Sequence, residues 1–249
     1  MADHVLAVLR RLMTWHASRS DEFRSPIVRG MARTKPRERA RERVLTDDEL
    51  RAVWKAAVGL ETAYGYLVRF ILLTATRVQE AARLNRSEIS RGGDEWVIPA
   101  RRHKSKRDFL LPLSQTARDL LASIPEIGRK GWVFTSGGDK PINGFSKAKR
   151  QLDERTLAAV LVEQESKVSP IPHWVLHDLR RTAKSLMSRA GVLPNHSERA
   201  LGHVIAGVEG TYDRYSYSEE KRRAFEALAD QVERILKPRA NVVALRTAR

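Results

Sequence analysis

Residues 177–182 read HDLRRT and residues 201–217 read LGHVIAGVEGTYDRYSY, the second stretch holding three of the chain's five tyrosines and three glycines. The pattern over 177–190 predicts a helix, so His177 and Arg180, three residues apart, project from one face. An imidazole beside an always-charged planar guanidinium can grip a phosphate and manage a proton. Each piece alone is weak. An HxxR is more often a surface or capping pair, and a histidine after glycine more often marks a helix end. Together they ask whether one of the three tyrosines is a reagent.

Composition narrows the partners. A chain of 249 residues that is 42% hydrophobic can build one good-sized core plus a small appendage. The longest apolar run, YLVRFILLTAT (66–76), is broken by Arg69 and too short to span a bilayer, so no membrane partner is expected. The N-terminal MADHVLAVLRRLM places Asp3 before its apolar residues and Arg10 and Arg11 behind them, the reverse of a secretory signal. With no cysteine there are no disulfides, thiolate metal sites or thiol nucleophiles, and a cytoplasmic location is expected. The net charge of +16 is spread along the chain and attracts polyanions, which favours nucleic acid over a merely basic soluble protein.

Apolar residues at Val5, Leu9, Leu12 and Met13 predict a helix over 4–24. After Pro26, basic residues at every second position from Arg33 to Arg43 read as a solvated linker or a strap along a DNA backbone. Thr46 to Glu49 form a capping box ahead of Leu50, Val53, Trp54 and Ala57 on one helical face. Further helices are expected at 61–74, 78–84, 114–123, 144–165, 177–190, 196–201 and 218–236, the last with Ser218 as N-cap and an apolar stripe of Phe225, Leu228, Val232, Ile235 and Leu236. WVIPA (96–100) and FLLPL (109–113) flank the basic turn RRHKSKRD and predict a hairpin, with WVF (132–134) a candidate third strand. The fold class is mainly α with a small antiparallel β-sheet.

HExxH spacing, phosphate-binding loops of the GKS or GKT type and the GxSxG elbow are all missing, so no metal, nucleotide or other cofactor is expected. What the chain does have, in order, is Arg77 in LLTATRVQEAARL, Lys104 in IPARRHKSKRDFLLPLS, His177 and Arg180 in HDLRRT, His203 in LGH, and Tyr212 nine residues later. This set resembles the catalytic domain of the tyrosine recombinases, the phage integrase family, over about residues 44–237. Its tail is similar to those of integrases from temperate phages and prophage islands. Ala75 stands where the family has glycine.

The resemblance implies a tyrosine recombinase catalytic domain over 44–237. Residues 1–25 would be the remnant last helix of a core-binding domain, 26–43 a basic linker and 238–249 a C-terminal tail. A fragment, a late-start product and a decayed gene remain open readings of such a chain. By the same resemblance Arg77 and Arg180 clamp the nonbridging oxygens of a phosphodiester, with His203 as a third donor. His177 takes the phenol proton, Lys104 protonates the leaving 5′ oxygen, with Lys106 and Arg107 as alternatives, and Tyr212 is the nucleophile. Glu80, one turn after Arg77, would hold it by a salt bridge or stand as an exposed helix charge, while Tyr215 and Tyr217 would serve packing. Implied partners are double-stranded DNA, further copies of the chain as a tetramer on paired sites, and a DNA-bending accessory protein, in a bacterial, nucleoid-associated setting. The 218–236 helix and the tail are candidates for docking on a neighbouring protomer, the alternative being that the helix packs on its own domain and the tail is frayed. Two other readings stay open: a type IB topoisomerase-like enzyme and a truncated DNA-binding fragment without catalysis.

Overall fold

The computed structural model describes residues 2–34, 41–163, 171–203 and 215–238. The chain divides into two compact units, residues 1–42 and 43–249.

In the first unit, helix α1 (Ala2–Ala17) is shorter than the expected 4–24. Its end is set by side chains that take over the last carbonyls: Ser18 Oγ and Arg19 Nη1 both donate to the carbonyl of Trp15, at 2.8 and 3.2 Å. The chain then returns along the helix, where Arg33 N donates to Asp3 at 2.8 Å and Arg10 Nη2 donates to the carbonyl of Val28 at 3.0 Å.

The second unit opens on the expected capping box. Glu49 N donates to Thr46 Oγ1 at 3.3 Å and Thr46 N to Glu49 Oε2 at 2.8 Å, starting α2 (Asp47–Gly59). Helix α3 (Ala63–Thr74) is buried on nearly every side, with Leu67, Phe70 and Ile71 fully inaccessible. It forms the axis of the core, against which α2, α5 (Gln115–Ala122), α6 (Phe145–Glu163) and α7 (Leu176–Arg189) pack. Arg69, which interrupts its apolar run, lays its guanidinium over Tyr66 at 4.7 Å from the ring centre and so remains half-buried. A short helix, α4 (Val78–Ala82), follows directly.

Strands β1 (Glu95–Ile98) and β2 (Phe109–Pro112) pair antiparallel, with Trp96 opposite Leu111 and Ile98 opposite Phe109. Among the described residues they make a two-stranded sheet. The candidate third strand at 132–134 does not form. Trp132 makes an isolated bridge to Asn85, while Val133 and Phe134 enter the core from irregular backbone, Phe134 lying 5.4 Å from Phe70. Burial of these side chains explains their apolar character without a ladder.

After α8 (Pro194–Ala200), the last described helix is α9 (Ser218–Leu236). Its N-cap is Tyr217, held at φ 53°, with Ser218 already helical, so the expected Ser218 cap is corrected by one residue. Its apolar stripe, Phe225, Leu228, Val232 and Ile235, is buried against α2, α3, α5, α7, α8 and β2 of the same chain. Of the two expectations for this helix, docking on a neighbouring protomer or packing on its own domain, that face takes the second, because the domain's own core covers it. The tail from 239 onward lies outside the described residues.

Candidate active site

The site begins where α3 stops. Ala75, buried and at φ 50° and ψ 25°, takes the left-handed conformation that closes the helix, which costs an L-residue about 1–2 kcal/mol and explains why glycine suits the position. Thr74 Oγ1 bonds the Phe70 carbonyl at 2.7 Å and lies 2.9 Å from Thr76 Oγ1, which fixes the reversal from inside. Arg77 is thereby delivered as the N-cap of α4. One turn on, buried Glu80 accepts both from the Arg77 backbone N–H at 3.1 Å and from Arg77 Nη1 at 2.9 Å, so the guanidinium is held at its root.

Arg180 comes from the second turn of α7. It is 6% exposed and donates through Nη1 to the Ala75 carbonyl and through Nη2 to the Leu201 carbonyl at 2.7 Å. One side chain therefore ties the TATR turn to the LGH segment. Burial, and next the nearby Arg77 charge, push its pKa down to about 10, which leaves it cationic at neutral pH. His177, a turn earlier, faces solvent on one side; its partial burial, followed by the Arg181 and Arg180 charges, holds its imidazole below the ordinary histidine value.

LGH is the C-terminal cap of α8. Gly202, at φ +64°, donates to the Arg199 carbonyl at 3.1 Å, and His203 N donates to the Glu198 carbonyl at 3.0 Å, the paired bonds of a Schellman motif. Glycine is doubly required, since a Cβ there would sit 2.8 Å from His103 Nε2. The cap carries His203 to Arg180, with Nε2 at 3.0 Å from Arg180 Nη2, while Nδ1 bonds Glu198. The other oxygen of Glu198 receives Lys184 Nζ from α7. These two bonds outweigh the opposing effect of burial and hold the Glu198 carboxyl below its ordinary value.

The hairpin turn is built rather than loose. His103 N and Lys106 N donate to the carbonyls of Pro99 and His103, each at 3.0 Å, and Ala100 N donates to Asp108 Oδ1 at 2.7 Å. His103, 3% exposed, stacks on Phe109 at 4.8 Å and bonds Ser105 Oγ at 2.7 Å, wedging the turn against Gly202. This wedge turns the neighbouring Lys104 into a cleft of about 220 Å³ that is lined also by Arg77, His177, Arg180, Arg181, Lys184, Leu201 and His203. Lys106 and Arg107 are exposed and do not line it.

Five of the six residues singled out from sequence therefore meet at one cleft. The sixth, Tyr212, lies outside the described residues, as do Gly207 and Gly210. Tyr217 packs under Arg199, whose guanidinium is 3.7 Å from its ring centre, and Tyr215, 59% exposed, meets it edge-on at 4.8 Å. Sequence reading missed Arg181, Lys184, Glu198 and His103. Arg181 sat inside the quoted HDLRRT, but Glu198 and Lys184 come from different helices and acquire meaning only through His203.

Five cations line the cleft: Arg77, Lys104, Arg180, Arg181 and Lys184. Carboxylates reach it as partners: Glu80 on Arg77, Asp178 on Arg181, and Glu198 on Lys184 and His203. The surplus is positive, which suits an anionic group. Among the described residues, no group of three or more His, Asp or Glu side chains is placed to hold a metal ion.

The sequence pattern of the phage integrase family matches residues 43–220. Prophage integrase IntA of Escherichia coli (strain K12) is 33% identical over 165 residues, 65% of this chain and 37% of that protein. Prophage integrase IntZ of the same strain is 27% identical over 200 residues, 78% of this chain and 46% of that protein. The chain thus matches less than half the length of either relative. A lambda integrase(75–356) dimer bound to a COC′ core site superposes with a TM-score of 0.60 at 17% identity, over 86% of this chain and 75% of that one, a likeness of fold. With the family pattern covering most of its length and the Arg77, His177, Arg180 and His203 segments folded onto one cleft, the chain belongs to the phage integrase family.

Proposed function

We propose that this chain carries the catalytic domain of a site-specific DNA recombinase that integrates or excises a phage or mobile element by cleaving and rejoining double-stranded DNA through Tyr212. The observation that carries the reading is the convergence of Arg77, Lys104, His177, Arg180 and His203 on one positively charged cleft. Residues 44–237 would form that domain, 1–25 a helix of a core-binding domain, 26–43 the linker and 238–249 the tail.

In the proposed reaction the scissile phosphate enters the cleft with its nonbridging oxygens on Arg77 and Arg180, whose charges stabilise the added negative charge of the pentacoordinate transition state. The Tyr212 oxygen attacks phosphorus and its proton passes to His177, whose pKa is held below the ordinary histidine value by partial burial and then by the Arg181 and Arg180 charges. The bond from phosphorus to the 5′ oxygen breaks and Lys104 supplies the proton to that oxygen. A 3′-phosphotyrosyl bond replaces a phosphodiester, so religation needs neither metal nor nucleotide. Strand exchange would join four copies on paired sites, with a DNA-bending protein as an additional partner, in the bacterial cytoplasm.

The test is a nicked suicide duplex carrying the cognate site. Wild type is expected to form a covalent adduct and Tyr212→Phe none. No adduct with wild type, or one that persists in Tyr212→Phe, overturns the assignment. Binding without cleavage in both would select the DNA-binding reading, and plasmid relaxation without junction products the topoisomerase-like one.

A further inference from the structure

We propose that Glu198 is a positioning residue for His203, converting it from a hydrogen-bond acceptor in the free protein to a donor toward the scissile phosphate. The inference rests on the recombinase reading and goes beyond it, because it concerns how one imidazole serves two partners. Arg180 bears only hydrogens on Nη2, so at 3.0 Å His203 Nε2 must be the acceptor. The proton of the neutral ring therefore sits on Nδ1, where Glu198 accepts it. In this state His203 has no N–H to offer an oxyanion.

A phosphate oxygen arriving between Arg180 and His203 changes the arrangement. The Arg180 N–H turns to the oxygen, Nε2 loses its donor, and a proton taken from solvent onto Nε2 makes the ring a donor to the same oxygen. The ring then carries a positive charge amid Arg180, Arg181, Lys184 and His177 of α7, Arg77 before α4 and Lys104 of the hairpin. Among the described residues, Glu198 is the carboxylate that touches it, Glu80 and Asp178 being turned to Arg77 and Arg181. The imidazolium so formed is paired on its far side, as a buried or crowded charge must be.

The geometry that makes this work is local and rigid. Glu198 is the residue whose backbone carbonyl receives His203 N in the cap of α8, so the carboxylate and imidazole spring from the two ends of one bond. Lys184 fixes the other carboxylate oxygen from α7. Second partners of this kind set a histidine's tautomer and orientation; where the histidine binds a metal, their loss costs about 10–100-fold.

The experiment pairs histidine ¹⁵N NMR on the free protein with cleavage-rate profiles from pH 6 to 9 on the suicide duplex, for wild type, Glu198→Gln and Glu198→Ala. Wild-type His203 is expected as the neutral Nδ1–H tautomer. Glu198→Ala should admit the Nε2–H form, while Glu198→Gln, whose amide oxygen can still accept, keeps Nδ1–H but lacks the charge. Glu198→Gln should therefore bind the duplex within about twofold of wild type yet cleave about 10–100-fold more slowly at pH 8, recovering as pH falls. A wild-type Nε2–H tautomer, a tautomer unmoved in Glu198→Ala, or a Glu198→Gln profile that superimposes on wild type overturns the inference. If wild type forms no adduct, the recombinase reading fails, and the NMR arm still decides the role of Glu198.

Discussion

At the scale of single residues, the site is held together by side chains that bridge segments far apart in the chain. Arg180 reaches back 105 positions to the Ala75 carbonyl, and His103 fills the space that a Cβ on Gly202 would occupy. His103 gives the domain a pH dependence whose direction can be stated. Burial, with the Arg77 and Arg180 charges adding to it and Glu80 acting against it, holds His103 below its ordinary value of 6.5. Above pH 6.5 the ring is neutral in both folded and unfolded chains and its contribution is complete. As pH falls below 6.5, the unfolded chain takes up the proton first and stability is lost. Urea midpoints measured at pH 7.5, 6.5 and 5.5 should decline in wild type and decline less in His103→Gln, with the remaining slope shared by His177, which is shifted in the same direction. Parallel slopes in the two proteins would remove His103 from this account.

At the scale of elements, apolar periodicity read along the second unit corresponds to the helices that form there, because each buries one face on α3 or on a helix beside it, whereas α1 of the first unit leaves Val5, Leu9 and Leu12 exposed. The ends were less legible. Ser218 looks like a cap by residue type, yet Tyr217 takes that position, its ring packed under Arg199. WVF looks like a strand because its residues are apolar and β-favouring, but those properties also suit an irregular segment buried beside Phe70. Of the two roles open to helix α9, docking on a neighbour or packing on its own domain, its apolar face takes the second. Lys221 on it bonds the Leu110 carbonyl at 3.1 Å, so α9 also braces the hairpin that carries Lys104. Leu228→Ala, at a fully buried position, is expected to destabilise the isolated chain by about 2–5 kcal/mol in urea unfolding. A cost near zero would mean that α9 is dispensable to the domain and free to leave it.

At the scale of the whole molecule, a net charge of +16 sets how the chain should meet DNA. If about six to ten phosphates are neutralised, affinity for a non-cognate duplex should fall on the order of 10³-fold or more between 50 and 200 mM salt. A flat salt response by fluorescence anisotropy would count against phosphate contact as the source of binding. The sequence by itself determined the helices, the hairpin and the kinds of side chain available for chemistry, because these follow from local spacing and residue type. It also carried the ordered residues on which the resemblance to the family rests. Only the tertiary structure decided that Lys104, rather than Lys106 or Arg107, faces the cleft. It alone joined Glu198 to both His203 and Lys184, and it put Ala75 in the left-handed turn that Arg180 grips. These outcomes depend on contacts between segments far apart in the chain, and local periodicity carries no record of which distant groups will meet when the core closes.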